Sequence, residues 1–183
     1  MIASFGGTTK LSVGENGGAV MLAPRQHILL ANKGICESGY ELLRHNLEGV
    51  EIKPVFERRT EVVLLRTFDI KQGQELFDRH NLNLKLVDSL YAYHINEKDV
   101  DKGTGLMEAL RILGGKPEET VAIGDSETDV PLFEKCEVSV ALGQAADNVK
   151  AVAKYVVNGK QGRGLIEALN LITYKYLSLG LKK

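Results

Sequence analysis

The chain has 183 residues, of which 44% are hydrophobic and 26% charged, enough apolar material for one domain core or two small ones. A formal net charge of −1 supplies no basic field for nucleic acid, no apolar run is long enough to cross a bilayer, and Met1 does not open a signal-peptide pattern. Cys36 and Cys136 form no C-x-x-C pair, which argues against zinc and against a disulfide framework and leaves both as reduced core residues. Small-molecule partners and a cytoplasmic location are the resulting expectations.

In chain order, the pattern predicts strands over 19–22 and 27–30 around a hairpin turn at Ala23-Pro24-Arg25-Gln26. A helix is expected over 37–47, with Tyr40, Leu43 and Leu47 at helical spacing, followed by a compact apolar strand over 62–65. A second helix over 70–80 presents Ile70, Leu76 and Phe77 and stops at Asn81; strands over 84–88 and 91–95, joined by Ser89-Leu90, then form an antiparallel pair. Repeated β-α units follow. A helix over 105–113 carries Leu106, Ala109, Leu110 and Leu113 on one face, and strands are expected over 120–123, 138–141 and 155–157. A short helix over 145–154 and a closing helix over 164–179, with Leu165, Ala168, Leu169 and Ile172 facing inward, complete the series. This alternation favours an α/β fold with a largely parallel sheet.

The most informative stretch is Val121-Ala122-Ile123-Gly124-Asp125-Ser126-Glu127-Thr128-Asp129. Its apolar run suits a strand covered on both faces, and Gly124 lets the chain turn sharply where the run ends. Asp125 therefore falls at a strand's carboxyl end, the edge where open α/β sheets bind ligands, and Asp129 follows one helical turn later. Two carboxylates there suit a hard cation such as Mg²⁺; Asp125 as an ordinary helix N-cap is the competing reading, and the two roles can coexist. Phosphoryl transfer needs a cation to screen charge, a lysine to hold it and an in-line nucleophile. Lys102, at a glycine-flanked helix start, can supply the second positive charge, although a lone lysine is ordinarily a solvated surface group.

Gly124-Asp125-Ser126-Glu127-Thr128-Asp129 resembles the fourth motif, G-D-x-x-x-D, of the haloacid dehalogenase-like phosphatases, and Asp101-Lys102-Gly103-Thr104-Gly105-Leu106 resembles the segment with their third-motif lysine. Glu15-Asn16-Gly17-Gly18 is similar to the E-N-G-G that precedes the cap in the Cof-type branch. The small chain and the Arg58-Arg59 pair look most like the archaeal phosphoglycolate phosphatases. The resemblance implies an incomplete Rossmann-like core with a mainly parallel sheet, formed by 1–31 and 99–183, and an inserted α/β cap at 32–98. It also implies Mg²⁺ on Asp125 and Asp129, Lys102 steadying the nucleophile and phosphoryl group, Ser126 orienting a carboxylate, and a small phosphorylated metabolite as substrate. Arg58 and Arg59 are expected to grip a substrate carboxylate, with an exposed charged turn as the competing reading. Asn16 is expected near the phosphate, in a glycine-rich hinge turn, and His94 to be structural.

The family's first motif, D-x-D-G-T, which carries the nucleophile and the general acid, has no counterpart, and no second-motif Ser or Thr follows an apolar strand ahead of Glu15. Met1-Ile2-Ala3-Ser4-Phe5-Gly6-Gly7-Thr8-Thr9 is not that strand, so the chain is expected to start after the first two motifs. Asp99-Val100-Asp101 reads D-x-D, but polar residues precede Asp99 and no Gly-Thr follows Asp101. Two expectations result. One is a phosphomonoester hydrolase of the phosphoglycolate type, with sugar phosphates as the second substrate class, acting through an aspartyl-phosphate whose nucleophile is absent from this chain. The other is a catalytically inactive truncated protein with a binding or assembly role, self-associating through exposed core edges.

Overall fold

The computed structural model describes residues 11–22 and 26–177, which divide between two compact units, Met1–Leu113 and Gly114–Lys183. The first unit opens with an antiparallel sheet of β1 (Leu11–Gly14), β2 (Ala19–Leu22) and β3 (Gln26–Leu29), in which Leu11 lies opposite Leu22 and Ala19 opposite Leu29. The β2–β3 pair is the expected hairpin; residues 23–25 of its turn, the opening Met1 to Thr9 and the last expected helical residues lie outside the described ones. β1 was not anticipated. Leu11 and Val13 alternate with Ser12 and Gly14, a pattern of only four residues, and pairing with β2 holds the strand in place.

The rest of the first unit runs α1 (Lys33–Asn46), β4 (Val62–Leu64), α2 (Ile70–Arg79), β5 (Leu84–Asp88), β6 (Tyr93–Glu97) and α3 (Lys102–Leu113). Helices α1 and α2 each start on a side-chain cap: Asn32 Oδ1 accepts from Gly34 N at 2.9 Å, and Asp69 Oδ1 accepts from Lys71 N at 2.8 Å. Strands β4, β6 and β5 form an antiparallel sheet in that order. Cys36 and Leu43 of α1 and Leu76 and Phe77 of α2 are buried with Val62, Leu64, Leu84, Tyr93 and Ile95 in one core. Side chains alternate along a strand, so Val63, His94 and Asn96 fall on the opposite face, with Val63 paired to His94.

Two details depart from the sequence expectation. The β5–β6 connection takes in four residues: Ser89 N donates to the Ala92 carbonyl at 3.1 Å and Leu90 adopts φ 64°, so β6 starts at Tyr93 instead of residue 91. In α3, Ala109 and Leu110 are buried as expected, but Leu113 is 65% exposed at the helix end.

The second unit holds a parallel sheet, β7 (Val121–Gly124), β8 (Val138–Ala141) and β9 (Tyr155–Val156), with Val121 opposite Val138 and Val140 opposite Tyr155. α4 (Val130–Lys135) and α5 (Asp147–Val152) make the two crossovers, and α6 (Gln161–Ile172) follows β9. This is the expected α/β pattern with a parallel sheet. The inward face of α6 differs from the one expected. Gly164 and Ala168 are buried, whereas Leu165 and Leu169 are 44% and 50% exposed. Gly164 lies so close to Gly159 that a Cβ there would collide with the Gly159 carbonyl, and this approach turns the Gly164–Ala168 stripe toward Val140, Leu142 and Val157. Among the described residues no helix is long and apolar enough to cross a membrane.

The rotation of α6 can be checked by urea unfolding. Overfilling the buried stripe with Ala168→Leu should destabilise the protein by about 1–3 kcal/mol, while Leu165→Ala should stay within about 0.5 kcal/mol. The reverse ranking would restore the face expected from sequence.

Candidate active site

Asp125 is the first residue beyond β7, and it is exposed. Ser126 then precedes a 3₁₀ turn, Glu127–Asp129, that runs directly into α4, where Pro131 occupies the first turn and needs no hydrogen-bonded N–H. The chain bends back on Asp129. Its Oδ2 accepts from Asp125 N at 2.9 Å, Ser126 N at 3.0 Å and Ser126 Oγ at 2.9 Å. Asp129 is only 7% exposed, and these donors compensate the loss of water around its charge. The turn is capped by Ser126 and Asp129, which form a capping box, and not by Asp125 as the competing sequence reading had it. Asp125 Oδ2 instead accepts from Gln144 Nε2 at 2.6 Å.

Gly124 serves this arrangement through its missing side chain. A Cβ at that position would sit 2.5 Å from Asp129 Cβ and 2.7 Å from its Oδ2. Among the described residues no group of three or more His, Cys, Asp or Glu side chains is arranged to hold a metal. Asp125 and Asp129 nevertheless offer hard oxygen donors, and Mg²⁺ commonly takes one or two protein carboxylates and fills its remaining positions with water and phosphate oxygens.

Lys102 is the first residue of α3, in the first unit, whereas Asp125 and Asp129 belong to the second. Asp101 caps α3: its Oδ1 accepts from Thr104 N at 2.9 Å and Thr104 Oγ1 at 3.1 Å. Asp99 Oδ2 accepts from Asn83 Nδ2 at 3.0 Å. Both carboxylates of the D-x-D sequence are therefore engaged in local structure. The Glu15–Gly17 turn lies against the start of α3, because a Cβ on Gly17, at φ 101°, would collide with the Asp101 carbonyl.

That turn is unusual in holding two non-glycine residues in the left-handed region, Glu15 at φ 53° and Asn16 at φ 51°. Such conformations cost about 1–3 kcal/mol each and persist only where surrounding contacts enforce them. The contacts are present. Glu15 Oε2 accepts from Arg59 N at 2.8 Å, Thr60 N at 2.8 Å and Thr60 Oγ1 at 2.7 Å. Asn16 Nδ2 donates to Glu61 Oε2 at 3.1 Å. Arg58 Nε stands 3.7 Å from Glu61 Oε1, so Asn16 and Arg58 meet on one carboxylate, whereas Arg59 is exposed and joined through its backbone N–H.

Glu61 was missed by the sequence reading, as were Thr60 and Asn96. Glu61 is 1% exposed and also receives His94 Nδ1 at 3.0 Å and Asn96 Nδ2 at 3.3 Å. The available signal was alternation: Glu61, just ahead of β4, and Val63, then His94 and Asn96 of β6, alternate with the apolar Val62, Leu64, Tyr93 and Ile95 of the core. Burial pushes the Glu61 carboxyl up, but the hydrogen bond and charge of His94, the Asn96 amide and the Arg58 guanidinium outweigh it and leave the group below its ordinary value. Nearby Cys36, whose Sγ donates to the Thr60 carbonyl at 3.5 Å, has its thiol pushed up to about 12 by burial and by the charges of Glu97 and Glu61. It is an inert core group.

A parallel-sheet unit with a carboxylate corner past its first strand, preceded by a helix opening on lysine, is the arrangement expected of a phosphate-handling α/β enzyme. A profile of the haloacid dehalogenase-like hydrolases matches residues 53–169, and the chain belongs to that family, as a phosphatase. A phosphoglycolate phosphatase of Nitrosopumilus maritimus is 48% identical over 170 residues, spanning 93% of this chain and 74% of that protein. Another, from Archaeoglobus fulgidus, is 34% identical over 167 residues, 91% of this chain and 74% of that one. Among solved structures, Thermoplasma acidophilum 0175 matches with a TM-score of 0.75 at 17% identity, covering 94% of this chain and 75% of that one. A subclass IIB sugar phosphatase matches with a TM-score of 0.71 at 14% identity, covering 96% and 78%. At such identities these two structures speak for the fold alone.

Because Glu61 titrates lower in the folded chain than in the unfolded one, the stability it contributes is complete above the unfolded value of about 4.3. It is lost as pH falls through the lower folded value. Urea midpoints followed from pH 7 down to pH 3 should therefore drop more steeply in the wild type than in Glu61→Gln. Parallel acid slopes in the two proteins would count against a charged Glu61.

Proposed function

We propose that the chain serves a Mg²⁺-dependent phosphomonoester hydrolase of the phosphoglycolate phosphatase type, acting in the cytoplasm on a small phosphorylated metabolite. The carrying observation is the β7–Gly124–Asp125 corner, in which Asp129 is locked by three donors and Asp125, held by Gln144 through one oxygen, is exposed to solvent at a strand's carboxyl end. The 48% identical phosphoglycolate phosphatase supports the substrate class, with sugar phosphates as the second candidate. In this reading Asp125 and Asp129 hold the metal, which when bound screens charge on the phosphoryl oxygens. Ser126 keeps Asp129 oriented. Lys102 presents a cation, together with the N-terminus of α3, to phosphoryl charge. Residues 32–98 act as the substrate-selecting cap, where Arg58 binds a substrate carboxylate; Asn16 and the exposed Arg59 contribute less to recognition.

The chain contains no D-x-D-G-T, so the aspartate that would carry the phosphoryl group is not among these 183 residues, and we expect them not to turn over by themselves. A second reading, a non-catalytic protein that self-associates, draws on the edge position of β7 in its sheet and on exposed Leu165, Ile166 and Leu169.

Two measurements test the proposal. Calorimetry should give Mg²⁺ binding that weakens at least tenfold in Asp125→Ala/Asp129→Ala; equal affinity would remove the metal assignment. Phosphoglycolate incubated with the chain and Mg²⁺ should release no phosphate above background. Turnover that disappears in Asp125→Ala would mean that another carboxylate is the nucleophile, with Asp99 the first to examine.

A further inference from the structure

Two carboxylates clasp the Glu15–Gly17 turn and the 58–61 segment from opposite sides. Glu15 reaches out of the turn to bind Arg59 N, Thr60 N and Thr60 Oγ1; Glu61, at the other end of the segment, receives Asn16 Nδ2 from the turn. The same Glu61 oxygen is fixed on the β6 side by His94 Nδ1 and Asn96 Nδ2. Glu61 thereby joins three separate parts of the first unit: the left-handed turn, strand β6 and the run that carries Arg58. A buried carboxylate used only for stability is readily replaced by apolar packing, so one that links a strained turn to a cationic side chain invites a positional role.

Arg58 is where that position is read out. Its Nε is buried with no hydrogen-bond partner among the described residues and stands 3.7 Å from Glu61 Oε1, an ion pair that aims the guanidinium without using up its donors. Arg58 and Glu61 line a cavity of about 250 Å³ together with Lys33, Lys53, Tyr40 and Phe56. The other two cations of this group are already occupied: Lys33 Nζ lies 3.3 Å from Glu37 Oε1, and Lys53 Nζ sits 4.1 Å from the centre of the Tyr91 ring. Among the described residues Arg58 is the cation of this cavity left with an unbonded donor, and Glu61 is its ion-pair partner.

We propose that Glu61 is a positioning residue for substrate selection, fixing the Arg58 guanidinium and the Glu15–Gly17 turn in one geometry so that a small carboxylate-bearing phosphate ester is preferred over inorganic phosphate. The proposal rests on the assignment of Arg58 to a substrate carboxylate. Glu61 touches no ligand in this scheme. It acts through Arg58 and through Asn16, and its removal should alter selectivity more than phosphate affinity.

The test uses the full chain with Mg²⁺ and two ligands, phosphoglycolate and inorganic phosphate, measured by calorimetry on wild type, Arg58→Ala and Glu61→Gln. Both variants should lose at least tenfold in phosphoglycolate affinity while keeping their phosphate affinity within about twofold, a ratio that general destabilisation would not change. Hydrogen exchange supplies a readout that needs no ligand. Gly18 N, bonded to the Glu15 carbonyl, and Thr60 N, bonded to Glu15 Oε2, should exchange at least tenfold faster in Glu61→Gln. If Arg58→Ala leaves phosphoglycolate binding unchanged, the carboxylate assignment itself is wrong. If Arg58→Ala loses selectivity but Glu61→Gln keeps it, or if exchange at Gly18 and Thr60 is unaltered, the positioning role alone is overturned. Should Glu61→Gln fail to fold, Asn16→Ser removes a single arm of the clasp; faster exchange at Gly18 supports the role and wild-type exchange overturns it.

Discussion

A carboxylate taken out of water has to be met by donors, and two regions of this chain, at Asp129 and at Glu61, are built around that requirement. Asp129, 7% exposed, collects two backbone N–H groups and a hydroxyl on one oxygen; Glu61, 1% exposed, collects two amides and an imidazole on one oxygen, with a guanidinium beside the other. An unpaired ion at either position would be expelled or neutralised. Satisfying it instead fixes the pieces of chain around it in one arrangement. At Asp129 the pieces are local, a strand end and the turn after it. At Glu61 they come from residues 16, 58, 94 and 96, so this carboxylate acts as a long-range tie.

The two regions sit on different kinds of sheet, and the difference suits their proposed tasks. β7, β8 and β9 run parallel, so every strand delivers its carboxyl end to the same edge, and Asp125 gains its position from that directionality alone. β4, β5 and β6 run antiparallel, which leaves one face for the core of α1 and α2 and the other for polar groups. Charge screening calls for a fixed edge, and selection among substrates calls for a face whose side chains can vary. The chain supplies one of each.

Much of this was legible in the sequence because it depended on local pattern. The run Val121-Ala122-Ile123 before Gly124-Asp125, the helical spacing of Leu76 and Phe77, and the apolar strand at 62–64 each follow from neighbours within a few residues. The failures involve long-range contact. The rotation of α6 is set by Gly164 against Gly159, a backbone approach that no side-chain periodicity records, so the obvious leucines were assigned inward. β1 exists through its pairing with β2. Glu61 reads as one more charge in the Glu-Arg-Arg-Thr-Glu run, and its burial becomes evident only when β6 brings His94 and Asn96 alongside. Arg58 and Arg59, alike in sequence, separate in the same way, one onto Glu61 and the other into solvent.

Gly124 reverses the usual relation between chemistry and importance. It contributes no ligand, proton or charge, yet its bare α-carbon leaves open the space that the Asp129 side chain fills, with a Cβ placed there lying 2.6 Å from the carboxyl carbon. Alanine, the mildest of replacements on most surfaces, would here evict a carboxylate from its three donors. The mutational sensitivity of this corner is therefore centred on a residue that a search for reactive side chains would pass over, and the functional motif is defined as much by an excluded volume as by its two acids.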